Sequence, residues 1–257
     1  MEQIKLIDSH THLMDEAFEN DKEEVIARAR ENGIETIINV GYSKETSYEA
    51  VALAQKYDFI YATIGLHPDE CNVEAIDLSF VKELAKNSKV VAIGEVGLDY
   101  HYDTTNKDTQ KKHFIEQIHL ANELRLPVAI HSRDCDMDML AILKHHPIES
   151  GFVMHCFSSS VEVLKEMLKL GAYISLAGPV TYKNAKHLLE VATVVPIDKL
   201  LVETDAPYLT PEPNRGKRNE TSFVRYTAMK ISELRNMPLE ELAKHTVENT
   251  KRFYHIS

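Results

Sequence analysis

This sequence predicts a single α/β domain over residues 1–257, folded as a (β/α)8 TIM barrel, and three observations carry the prediction. Eight apolar, β-branched runs recur along the chain, each followed by an amphipathic stretch of helical spacing. The runs are continuously apolar rather than alternating, the pattern of parallel strands covered by helices. A length of 257 residues suits one large α/β barrel domain. An open doubly wound sheet is the competing arrangement.

The predicted strands, in order, are Lys5–Ser9, Thr36–Val40, Ile60–Gly65, Val90–Glu95, Pro127–His131, Phe152–His155, Tyr173–Leu176 and Leu200–Thr204. Helical spacing of apolar residues falls on Lys22–Asn32, Lys44–Lys56, Leu78–Asn87, Lys107–Arg125, Cys135–His145, Ser159–Leu170 and Lys183–Val194, then on Glu220–Arg235 and Leu239–Phe253. Asn32-Gly33 and Gly171 read as left-handed C-terminal caps. The segment Pro207–Asn219, rich in Pro, Arg and Lys, reads as a long functional loop.

Composition narrows the function classes. Hydrophobic residues at 44% and charged residues at 27% are those of a soluble globular chain. Three cysteines without C-x-x-C spacing suit a reducing compartment, and neither a signal-peptide pattern nor an apolar run of membrane length is present. A cytoplasmic protein without membrane association is expected, with its oligomeric state left open and a monomer allowed. The net charge of −11 argues against a broad nucleic-acid-coating face but leaves room for a phosphate-bearing substrate met by a metal centre. The absence of G-x-G-x-x-G and G-x-x-x-x-G-K-[ST] turns argues against a nucleotide cofactor.

The informative polar residues cluster at the predicted strand ends. His10 and His12 close strand one, His67 follows strand three and Glu95 ends strand four; His131 ends strand five, His155 strand six, and Glu203 and Asp205 stand at the end of strand eight. In a parallel barrel these ends share one face, where active sites of this architecture lie. The six residues His10, His12, His131, His155, Glu95 and Asp205 are too many ligands for one tetrahedral ion and enough for two divalent ions sharing a carboxylate, with Glu95 the candidate bridge. Each residue alone has a packing or capping explanation; six together at strand C-termini do not.

The motifs D-S-H-T-H, G-L-H-P, G-E-V-G-L-D-Y, H-S-R-D, H-C-F, E-T-D-A-P and R-G-K-R-N-E, in that order, resemble the TatD-related DNases of the metal-dependent amidohydrolase-like barrels. The resemblance covers essentially the whole chain. It implies that His10, His12 and Asp205 hold one metal and His131 and His155 the other, with Glu95 touching both. It also implies a divalent-metal-dependent deoxyribonuclease that trims single-stranded DNA from the 3′ end, using a water activated by two metal ions (Mg, Mn or Zn). The alternative activity is that of an ester- or amide-hydrolysing enzyme such as a D-aminoacyl-tRNA deacylase, and a non-enzymatic metal-binding scaffold is a third reading.

Under the nuclease reading Asp205 is the general base, and Glu203 orients a ligand histidine, with Asp8 expected to do the same near His12. Arg133, Arg215, Lys217 and Arg218 are expected to contact phosphates, and His67 the substrate. One departure from the family pattern is Thr221, where a proline usually stands. Proline is favoured at a first helical position, so its absence bears on local loop shape alone.

Overall fold

The computed structural model describes residues 3–102 and 106–257. Its strands are β1 (Leu6–Thr11), β2 (Ile34–Val40), β3 (Ile60–Ile64), β4 (Val90–Asp99), β5 (Val128–Arg133), β6 (Phe152–Met154), β7 (Tyr173–Leu176) and β8 (Leu200–Val202). The α-helices among the described residues are α1 (Lys22–Glu31), α2 (Lys44–Lys56), α3 (Ser79–Leu84), α4 (Lys107–Leu124), α5 (Asp136–His145), α6 (Val161–Lys169), α7 (Lys186–Val194), α8 (Val224–Leu234) and α9 (Leu239–Tyr254).

The eight strands follow one another in sequence order within one sheet. The pairs β1–β2, β3–β4, β4–β5, β5–β6 and β7–β8 are parallel. Past the end of β8 the chain stays on β1: the Asp205 amide donates to the His10 carbonyl at 2.9 Å and the His12 amide to the Ala206 carbonyl at 2.8 Å. Sequential parallel strands with the last returned to the first make the predicted (β/α)8 barrel. No helix among the described residues is long and apolar enough to cross a membrane.

Local chemistry explains the elements. Every residue of β1 and of β4 is buried, polar ones included, as parallel strands covered on both faces require. Ser43 caps α2 by accepting from the Thr46 amide, and Asn106 caps α4 by accepting from the Thr109 amide. Gly33 and Gly171 adopt φ of 85° and 91°, the left-handed stops expected from their positions.

Contacts divide the chain into two compact units. One comprises Met1–Asn39, Cys156–Leu164 and Tyr173–Ser257. Its core includes Leu6, Ile7, Phe18, Ile34, Leu200, Leu201, Ile231 and Leu242. The other comprises Val40–His155 and Lys165–Ala172, with Ile60, Ile64, Phe80, Ile93, Phe114, Ile118 and Ile130 in its core.

The largest difference from the sequence reading is in β4, which runs to Asp99 rather than stopping at Glu95. Its register with β5 breaks between Ile93 and Val96, then resumes with Gly97 opposite His131 and Asp99 opposite Arg133. An extra residue at such a break turns a side chain out of the regular alternation, and Glu95 lies within it. Close approach of β5 requires small residues here: a Cβ on Gly97 would overlap the His131 carbonyl oxygen. The region 220–235 also differs, beginning with a short 3-10 turn over Thr221–Phe223 before α8.

Candidate metal centre

In the first unit, β1 carries His10 to its end and leaves His12 just beyond, and both side chains are buried. The His12 Nε2 lies 3.3 Å from Asp205 Oδ1, and the His10 Nε2 3.8 Å from the same oxygen. Asp205 has φ of 57°, a left-handed conformation that aspartate tolerates better than most residues. Its amide is bonded to the His10 carbonyl and its own carbonyl accepts from the Tyr208 amide at 2.9 Å. The backbone therefore fixes Asp205 against the histidines.

Two side chains brace that arrangement. The Asp8 carboxyl accepts from the Thr204 amide at 2.9 Å and the Thr204 hydroxyl at 2.6 Å, and burial pushes its pKa up to about 8. Its role is thus to tie β1 to the segment before Asp205, rather than to orient the His12 ring as its position in sequence suggested. Asn219, fully buried, donates through Nδ2 to the carbonyls of Thr204 at 2.9 Å and Tyr208 at 2.6 Å. It clamps the chain on both sides of Asp205.

In the second unit, two imidazoles converge on one carboxylate oxygen. His155 Nε2 lies 2.7 Å and His131 Nδ1 2.8 Å from Glu95 Oε1, and the two ring nitrogens are 3.3 Å apart. His67 Nε2, expected to contact substrate, stands 3.7 Å from the same oxygen and so lies beside this group. Burial draws the His67 ring down to about 3, and the neighbouring His131 adds to the effect; the ring is a neutral imidazole at ordinary pH.

The other face of His131 is occupied by Asp99, with Nε2 2.9 Å from Oδ2. Burial opposes charge on both, but their mutual bond together with the His101 amide on Asp99 and Glu95 on His131 outweighs it: Asp99 is held below the usual carboxylate range and His131 above the usual imidazole value. Asp99 escaped the sequence reading although the signal was there. Residues 95, 97 and 99 share one side of a strand, provided the strand continues past Glu95.

The remaining predicted residues separate. Glu203 Oε1 accepts from the Cys156 amide at 2.7 Å, next in sequence to His155. Arg133 ends β5 and lies 6.0 Å from the centre of the Tyr102 ring. Arg215 stacks over Tyr182 at 4.2 Å, and Lys217 is exposed on the same loop. Arg218 is engaged elsewhere: its guanidinium donates to both carboxylate oxygens of Asp21, at 2.7 and 2.6 Å, and to the Ala17 carbonyl. Thr221 is fully buried with its hydroxyl 3.5 Å from that of Thr11.

Both groups fit a divalent cation by donor chemistry and spacing. Within His10/His12/Asp205 and within His67/Glu95/His131, one ligand atom from each residue lies within 4.8 Å of the others. A tetrahedral ion with bonds of about 2.0–2.1 Å sets its ligand atoms about 3.3–3.4 Å apart. The 3.3 Å separations at His12–Asp205 and at His131–His155 match that edge, the 3.8 Å between His10 and Asp205 is longer, and the 2.7 and 2.8 Å contacts of Glu95 are hydrogen-bond lengths. Imidazole nitrogen with carboxylate oxygen suits Zn, Mn, Co or Ni.

Comparison with known proteins agrees with this chemistry. The family model described as "TatD related DNase" matches residues 7–255. A Bacillus subtilis protein named as the uncharacterized metal-dependent hydrolase YabD is 50% identical over 254 residues, covering 98% of this chain and 100% of that protein. The Escherichia coli K12 protein named as the uncharacterized metal-dependent hydrolase YcfH is 39% identical, over 98% and 96% of the two chains. The crystal structure of YJJV, a TatD homolog from Escherichia coli K12, superposes with a TM-score of 0.94 at 30% identity, covering both chains completely. With its barrel, its two histidine–carboxylate groups and these matches along nearly its whole length, the chain belongs to the TatD-related DNase family.

Proposed function

We propose that residues 1–257 act as one barrel domain, a divalent-metal-dependent deoxyribonuclease that shortens single-stranded DNA from its 3′ end. The observation that carries this reading is the pair of donor groups, His10/His12/Asp205 and Glu95/His131/His155, in each of which two imidazole nitrogens lie within 3.8 Å of one carboxylate oxygen. Two divalent cations, one in each group, complete the proposal, and histidine-rich ligation favours Mn or Zn over Mg. When bound, such a cation acidifies a water and polarises a phosphoryl oxygen.

The chain's own residues supply the rest. Asp205 turns Oδ1 toward His10 and His12, and Oδ2 takes the proton from the attacking water. The water oxygen bonds to phosphorus in line as the phosphorus–O3′ bond breaks; O3′ leaves with the electron pair and takes a proton from solvent, and the terminal nucleotide departs with its 5′-phosphate. Asp99 keeps the His131 ring aimed with Nδ1 toward Glu95. Arg133, Arg215 and Lys217 contact neighbouring phosphates, whereas Arg218 anchors the loop through Asp21.

The test is digestion of a 5′-labelled single-stranded oligonucleotide with Mg, Mn or Zn in turn, beside the Asp205→Asn variant. A ladder shortening from the 3′ end, abolished by EDTA and absent from the variant, is the expected result. Undiminished cleavage by the variant would remove Asp205 as the base. Failure to cleave with any metal, by protein carrying bound cations, would turn the assignment to an ester- or amide-hydrolysing enzyme.

A further inference from the structure

Tyr208 stands three residues after Asp205 and is held unusually firmly for a residue so open to solvent. Its amide donates to the Asp205 carbonyl at 2.9 Å and its carbonyl accepts from Asn219 at 2.6 Å. Its hydroxyl donates to Asp15 Oδ2 at 2.7 Å, and the other oxygen of Asp15 accepts from the Ala17 amide at 2.8 Å. Its ring stands edge-on to that of His12, with centroids 6.2 Å apart. Yet Tyr208 is 51% exposed, and Leu209 beside it 37%.

An aromatic ring fixed at backbone and hydroxyl has surrendered most of its conformational freedom before any ligand arrives. A ligand that stacks on it therefore loses little entropy in ordering it. Single-stranded nucleic acid is bound in this way, by aromatic rings that take successive bases while cations track the backbone. The same unit supplies cations on the loop that follows: Arg215, itself laid over Tyr182 at 4.2 Å, and the exposed Lys217.

We propose that Tyr208 is the base-stacking residue of this site, taking a nucleobase that flanks the phosphodiester held at His10, His12 and Asp205. The proposal rests on the phosphodiesterase reading and adds to it a source of preference for nucleotides over other phosphodiesters. The ring contributes binding and orientation, not proton transfer.

The experiment compares oligonucleotides that are identical except for a tetrahydrofuran abasic unit at the 3′-terminal or the penultimate position. The wild type, Tyr208→Ala and Tyr208→Phe are assayed for kcat/KM on each, with Mn present. Stacking on an aromatic side chain corresponds to roughly 5- to 150-fold per base, so the wild type should prefer the base-bearing substrate by a factor in that range at one of the two positions. In Tyr208→Ala that ratio should fall to near one. Tyr208→Phe, which keeps the ring and loses the Asp15 bond, should retain most of it. A ratio unchanged in Tyr208→Ala, whatever the loss in absolute rate, would overturn the stacking role and leave the nuclease reading standing. Failure of the wild type to cleave any of the oligonucleotides would overturn the nuclease reading, and stacking with it.

Discussion

Around Asp205 the candidate ligands are positioned by backbone bonds between the segments that carry them, whereas around Glu95 they are aimed by side chains. The amide of Asp205 is bonded to the carbonyl of His10, so a shift of one ligand moves the other. Asp8 and Asn219 reinforce that backbone join by bonding to Thr204 and to the carbonyls of Thr204 and Tyr208. His131, by contrast, is oriented by Asp99 on one ring nitrogen and Glu95 on the other. Groups placed by the main chain tolerate the loss of one side-chain partner; groups placed by side chains do not. The two sets should therefore respond differently to substitution.

The largest effect belongs to Asp205→Asn, which keeps the shape and removes the proposed proton acceptor. Hydrolysis should fall by about 100- to 10,000-fold, the usual contribution of a general base, with the far-ultraviolet circular dichroism unchanged. A loss under tenfold in single-turnover rate would mean that proton transfer uses another group.

Asp99→Asn should weaken metal binding by about 10- to 100-fold, as loss of an outer partner of a ligand histidine usually does. Calorimetric titration of metal into the purified variant should show one class of site weakened and the other retained. Equal weakening of both classes would erase the distinction between backbone-placed and side-chain-placed ligands.

Gly97→Ala tests the strand approach that sets the height of His131. The added methyl meets the His131 carbonyl, and overpacking of this kind costs about 1–3 kcal/mol. Urea unfolding should reveal that loss, and a variant as stable as the wild type would mean that β4 and β5 can separate without penalty.

The smallest effect concerns the loop anchor. The Arg218 guanidinium beside Asp21 holds its carboxyl below the usual range, with Arg28 adding to the pull. The stabilisation is present above the ordinary aspartate value near 3.8 and is lost as pH falls through the lower folded value. An exposed pair of this kind contributes about 0.2–1 kcal/mol. Wild type should therefore melt slightly above Asp21→Asn at pH 6, and the gap should close as pH drops below 3.8. A gap that widens on acidification would reverse the sign of the interaction.

Much of the architecture and of the candidate site was legible because it depends on short-range periodicity. A strand places residues two apart on one side, so His10 and His12 could be paired without knowing their neighbours. The apolar runs locate the strands, and their continuous character requires cover on both faces. Glu95, His131 and His155 stood at predicted strand ends, and their side chains do converge.

What tertiary structure alone decided lies in contacts between residues far apart in sequence. Arg218 looked like a phosphate ligand in a basic loop, but its partner Asp21 lies 197 positions away, and no local pattern links them. Asp8 looked like a partner for the histidine four residues on, and instead holds Thr204 at a separation of 196. Asp99 became an orienting group only because β4 continues past its register break, which depends on the close approach of β5 at Gly97. Periodicity is a property of the chain and can be read along it. Which carboxylate meets which cation or ring is determined by packing, because competing partners of similar chemistry are separated in energy only once distances and burial are set.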